Sequence, residues 1–278
     1  MSTLRNKMLQ QLQLKGYSSN TIETYISCIA ALANYYKTSP DLLTTEQIRA
    51  YIQYHLTEKK LSKSWLNQLV SALKILFCDV LKKEWNGKDI PRPRKENKLP
   101  VVLAREEVKK LIDVTINLKH RAILTLTYSA GLRLSEVSNL KITDVDSKRM
   151  TLRIVQAKGF KDRYCVLSPI ALNLLREYWD RYRPAIWLFP TKPGHAVSER
   201  TVQQIFKKAL RKAGIQKKVG IHSLRHSFAT HLMEQGVSLP IIQQLLGHKS
   251  LKTTSVYLHV QKYSIEAVKS PLDTLSIL

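Results

Sequence analysis

Apolar residues recur at intervals of three and four from residue 3 to about residue 83, with turn residues between the runs, and this spacing predicts four helices. The clearest run places Leu66, Leu69, Val70, Leu73, Leu76, Phe77, Val80 and Leu81 on one stripe with Lys74, Lys82 and Lys83 off it, the pattern of a helix that packs a core. Thr44 followed by Gln47 predicts a capping box at the start of one helix, and Ser19 ahead of Thr21 and Ile22 predicts the N-cap of the helix before it. Residues 89–100 break the pattern: prolines 91, 93 and 100 and a run of basic side chains leave little to bury, so this stretch is expected to link two domains, residues 1–88 and 101–278.

Beyond the linker, residues 105–114 and 121–130 have helical periodicity, the second run stopped by Gly131 in the place of a C-cap glycine. The period then changes. Residues 150–155 and 164–167 alternate as strands do, around a Lys158-Gly159-Phe160-Lys161-Asp162 segment whose glycine and charges suit a hairpin tip. Helices return after Ser168, with Ser198 and Ser238 as expected N-caps. The fold class expected is mainly α: a helical N-terminal bundle followed by a mixed α+β domain, mostly helical, with a small antiparallel sheet.

Charge changes the picture most. Lys and Arg number 45 against 21 Asp and Glu, a formal charge of +24, and such an excess repels itself unless a polyanion neutralises it. Nucleic acid is the partner this suggests. Cys28, Cys78 and Cys165 are odd in number, far apart and set among apolar residues, which argues against a disulfide framework or a zinc knuckle and suits a reducing cytoplasm. Residues 1–11 are polar rather than a leader's apolar core, and no run approaches the ~20 apolar residues of a membrane span. A cytoplasmic, nucleoid-associated protein is expected.

Several residues in the second domain stand at the ends of elements, where chemistry is usually placed. Arg133 opens an expected helix over 134–140, where its charge opposes the helix dipole and calls for an anion; Glu136, three residues on, can hold its guanidinium. His222 and Arg225 share a helix face near a helix start, a favourable place for phosphate. A zinc site from His222, His226 and His231 fits poorly, because Ser223 stands where a zinc-protease motif has its acid and Arg225 would repel the cation. Gly247-His248 closes another helix, and Tyr257 follows nine residues beyond His248.

Taken in order, four blocks resemble the tyrosine recombinase family, also called the lambda-type integrase family. They are Gly131-Leu132-Arg133-Leu134-Ser135-Glu136; Ala157-Lys158-Gly159-Phe160-Lys161-Asp162-Arg163; His222 through Arg225 to His231; and Leu245-Leu246-Gly247-His248 through Thr253-Thr254 to Tyr257. Leu258 departs from the threonine many relatives carry there. The resemblance implies a site-specific DNA recombinase of the compact Xer, integron and transposon kind, with a core-DNA-binding first domain that closes with the catalytic domain around a duplex. It implies catalytic roles for Arg133, Lys158, His222, Arg225, His248 and Tyr257, with Glu136 behind them, and no cofactor, neither metal nor ATP. The partners implied are double-stranded DNA with a specific site and a tetramer on that DNA, homomeric or paired with a related recombinase, with no membrane. The apolar C-terminal residues 271–278 would dock on a neighbouring subunit.

Overall fold

The computed structural model describes residues 3–85, 90, 92, 99–157, 161–248 and 250–258, and these fall in two compact units, residues 1–97 and 98–278. The expected hairpin tip with Lys158, the C-terminal segment 271–278 and most of the expected linker lie outside the described residues.

The first unit is a bundle of α1 (Thr3–Leu14), α2 (Ser19–Tyr36), α3 (Thr45–Thr57) and α4 (Lys63–Lys74). Its core is formed by Met8, Leu12, Leu32, Ile48, Leu66, Leu69, Leu73 and Leu76. Thr44 and Gln47 form the capping box of α3, Gln47 N donating to Thr44 Oγ1 and Thr44 N to Gln47 Oε1. The N-cap of α2 is Ser18 rather than Ser19: Ser18 is extended and its Oγ accepts from Thr21 N, the orphan amide three residues on, whereas Ser19 is already helical. The long stripe predicted through Leu81 is not one α-helix. After Lys74 the backbone widens into a π turn, Ile75–Val80, where Leu81 N donates to Leu76 O, five residues back. Ile90, from the expected linker, is buried in this core, so the linker composition concealed one anchoring residue.

The second unit begins with α5 (Arg105–Asp113), α6 (Leu118–Ser129) and the short α7 (Leu134–Ser138). Gly131 follows α6 at φ +60°. A three-stranded antiparallel sheet comes next: β1 (Val145–Asp146), β2 (Thr151–Ala157) and β3 (Lys161–Val166), in that order. Leu152 faces Cys165 and Ile154 faces Arg163 in the β2–β3 register. Then follow α8 (Pro169–Tyr182), a two-stranded ribbon of β4 (Pro190–Lys192) and β5 (His195–Ala196), α9 (Glu199–Lys212), α10 (His222–Glu234), α11 (Leu239–Leu246) and α12 (Leu251–Thr254). The ribbon and β1 were not expected, because strands of two or three residues leave no readable alternation.

The main core of this unit packs the inner face of the sheet, Leu152, Ile154 and Cys165, with α6, α8 and α9. A smaller cluster gathers Phe228, Ala229 and Met233 of α10, Ile242 and Leu246 of α11, and Tyr257. Ser198 caps α9 through Thr201 N; Ser238 occupies the N-cap position of α11 without a side-chain cap bond. No described helix is long and apolar enough to cross a membrane.

Candidate active site

The site grows from the C-terminus of α11. Gly247 takes the left-handed conformation there, φ +62°, leaving the last carbonyls of the helix without intrahelical partners. Three arginines from three different elements take three successive carbonyls. Arg163 Nε donates to Leu245 O at 3.0 Å, Arg225 Nη2 to Leu246 O at 2.6 Å and Arg133 Nη2 to Gly247 O at 3.0 Å. Cations at the negative end of a helix dipole are favourably placed, so one helix end collects three guanidiniums.

Glu136 keeps them together. Its Oε1 accepts from Arg133 Nη1 and Arg163 Nη1, both at 2.7 Å, and its Oε2 accepts from Arg133 N at 2.7 Å and Arg163 Nη2 at 2.8 Å. Arg225 Nη1 lies 3.9 Å from Oε2 and donates instead to Gly131 O at 2.6 Å. Burial alone would hold the Glu136 carboxyl protonated, but the Arg163 hydrogen bond and charge, with the amide and charge of Arg133, pull its pKa down to about 2. Burial, reinforced by Arg133, lowers Arg225 to about 10, which leaves it charged at neutral pH. One carboxylate among three guanidiniums leaves two uncompensated positive charges, a setting made for an anion.

The expected residues around this cluster separate into those the structure joins to it and those it does not. Arg133, the N-cap residue of α7, and Arg225, on the first turn of α10, meet on Glu136. His248 follows Gly247 directly, and its Nδ1 pairs with Thr254 Oγ1 at 2.9 Å. His222 opens α10 with an exposed edge, and its ring has no hydrogen-bond partner among the described residues. Burial of its covered side and the Arg225 charge lower its pKa.

Tyr257 ends a short 3-10 turn, Ser255–Tyr257, with 1% of its surface exposed, and its hydroxyl lies 3.0 Å from His226 Nδ1. Burial raises the Tyr257 pKa, while Arg225 and Arg133 oppose that rise. His222, His226 and His231, the poorly fitting zinc set, are split by these bonds, since His231 Nδ1 instead meets Tyr128 Oη at 2.9 Å.

Two residues of the site lie within the motif blocks but carry no role in the sequence reading. His226 lies inside the third motif block with no role assigned to it by the resemblance, yet it is the partner of the Tyr257 hydroxyl. Arg163 sits on β3 opposite the buried Ile154, and strand alternation puts it on the inner face with Cys165. An arginine at an inward strand position requires an internal partner, and that was the available signal.

Two outcomes follow directly. Burial lowers His226 to about 4; burial followed by the charges of Arg225, Arg133 and Arg163 does the same to His248. The unfolded chain therefore binds more protons than the folded one between about pH 6.5 and 4, and stability falls as pH drops through that window. Denaturant midpoints measured from pH 7 to 4 should decline, and His226→Asn with His248→Asn should flatten the decline. Gly247→Ala strains a left-handed position by about 1–2 kcal/mol and sets a Cβ 2.7 Å from Arg163 Cδ. Gly236→Ala, at φ +83° with open space, carries the strain alone. Thermal unfolding should show the larger loss at Gly247.

Residues 101–263 match the model described as the phage integrase family, and residues 4–87 match that of the phage integrase N-terminal SAM-like domain. The Sinorhizobium fredii protein y4qK, named an integrase/recombinase, is 42% identical over 277 residues, covering 99% of this chain and 90% of its own length. Tyrosine recombinase XerA of Pyrococcus furiosus is 38% identical over 282 residues, covering 96% of this chain and 94% of its own. Among solved structures, a lambda integrase dimer bound to a COC′ core site aligns at a TM-score of 0.75 and 21% identity over 92% of this chain and 94% of its own, a likeness of fold.

Proposed function

The chain belongs to the phage integrase family and is a tyrosine-type site-specific recombinase; from there we propose that Tyr257 Oη attacks a DNA phosphodiester held by Arg133 and Arg225. The new O–P bond makes a 3′-phosphotyrosine and the bond to the 5′ oxygen breaks. The observation that carries the reading is the arginine cluster around Glu136, whose two surplus positive charges match the charge that builds on non-bridging oxygens during in-line substitution. The arginines supply what a metal ion otherwise would.

Tyrosine has an ordinary pKa near 10, so only about one phenol in a thousand is ionised at neutral pH, and the attack needs its proton removed. His222, exposed at the start of α10, takes that proton in the engaged state, and His248 donates a hydrogen bond to the phosphate. In the resting arrangement the phenol is buried against His226, so DNA engagement includes movement of the Ser255–Tyr257 turn. Lys158 protonates the leaving 5′ oxygen as general acid. Because one phosphodiester is exchanged for another, no ATP is consumed.

A 5′-hydroxyl of a partner strand reverses the link, and a second round on the other strands resolves a Holliday junction. Two paired sites require four protomers, so the working assembly is a tetramer on double-stranded DNA, of this chain alone or with a related recombinase. The core site bound by the lambda integrase dimer supports a specific duplex as substrate. The test is a nicked duplex from the protein's own locus, scored for a denaturation-resistant adduct with wild type and with Tyr257→Phe. An adduct lost in the variant is expected; tight binding without any adduct would argue for an architectural DNA-binding protein.

A further inference from the structure

We propose that Arg163 is a positioning residue for this reaction: it locks Glu136 and the end of α11 so that Arg133 is held in the attitude that receives the scissile phosphate. The inference rests on the recombination reading above.

Each of the three Arg163 guanidinium nitrogens donates inward. Its Nε serves Leu245 O, its Nη1 and Nη2 serve the two oxygens of Glu136, and its side chain is 8% exposed. Arg225 is no more exposed, but among the described residues it bonds through Nη1 and Nη2 alone, whereas Arg163 is tied at every nitrogen. Arg133 differs: it is 20% exposed, and among the described residues its guanidinium bonds through Nη1 to Glu136 and Nη2 to Gly247 O, with Nε not engaged.

Arg163 supplies two of the four hydrogen bonds on the Glu136 carboxylate, in the paired geometry that fixes the plane of both groups. That plane sets where Arg133 Nη1 lies. The same side chain holds Leu245 O, two residues before the Gly247 carbonyl that fixes Arg133 Nη2. Both anchors of Arg133 therefore pass through Arg163. Without it, the carboxylate is free to turn toward Arg225 Nη1, 3.9 Å away, and Arg133 loses its fixed direction.

The test uses single-turnover adduct formation by the full chain on nicked duplexes with either an ordinary phosphodiester or an uncharged methylphosphonate at the scissile position. Arg163→Lys should slow the phosphodiester reaction by about 10–100-fold, the usual cost of losing a group that orients a reacting one, with DNA affinity little changed. On the methylphosphonate the deficit should shrink, because less charge is left for Arg133 to meet. Arg163→Lys in an Arg133→Lys background should add little. Should Arg163→Lys fail to fold, Arg163→Gln, which keeps Glu136 and an amide donor beside it, is read in the same way.

Equal deficits on both substrates would reduce Arg163 to a general structural role, and an unchanged phosphodiester rate would remove it from the reaction; either overturns the proposal while wild-type adducts leave the recombination reading intact. A wild-type protein that forms no adduct on either substrate overturns both.

Discussion

Glu136→Gln is expected to destabilise the second unit by roughly 3–5 kcal/mol, the cost of removing one member of a buried ionic cluster. The side chain is 6% exposed and is the one anion between Arg133, Arg163 and Arg225 among the described residues. Glutamine keeps the shape and can still accept the Arg133 amide, but it leaves three guanidiniums facing one another. The effect has a pH signature. Because the folded carboxyl titrates at about 2, below its ordinary value near 4.3, it contributes stability that is present above the ordinary value and lost as pH falls toward 2. Denaturant unfolding of the variant should show a lower midpoint at neutral pH and a weaker acid dependence below about pH 4.3.

Arg225→Ala is expected to slow covalent chemistry on DNA by about 10²–10³-fold, the range seen when one preorganised donor to a developing oxyanion is removed. Its guanidinium is 5% exposed and fixed by Gly131 O and Leu246 O, so its orientation is set before any DNA arrives. Electrostatic stabilisation of this kind is effective because the protein does not reorganise when charge develops. Nonspecific DNA affinity should fall far less, since it draws on the overall +24 charge. Rapid-quench adduct yields beside filter-binding titrations separate the two quantities.

Much of this site was legible in the chain. Gly131 ahead of Arg133, the pairing of His222 with Arg225, and Gly247 ahead of His248 mark element ends, and the structure puts each residue at such an end: Arg133 as the N-cap residue of α7, His222 opening α10 and Gly247 closing α11. What stayed hidden depends on tertiary geometry. Arg163 and Glu136 are 27 residues apart, and their pairing needs β3 to lie beside α7. The bond between His226 and Tyr257 spans 31 residues and joins a helix to a turn. The fold shows the same division. Local signals mark the Thr44 capping box, whereas the π turn after Lys74 leaves the apolar stripe intact and so is not marked by helical periodicity. The choice between Ser18 and Ser19 depends on which hydroxyl reaches the third amide, a matter of one residue in backbone conformation.

The measurement that bears most directly on the central claim is to digest the covalent protein–DNA adduct and identify the linked amino acid and the DNA end by mass spectrometry. The account predicts a peptide joined through Tyr257 Oη to a 3′ phosphate, with a free 5′-hydroxyl on the departing strand. Linkage through any other residue, or to a 5′ phosphate, would contradict it.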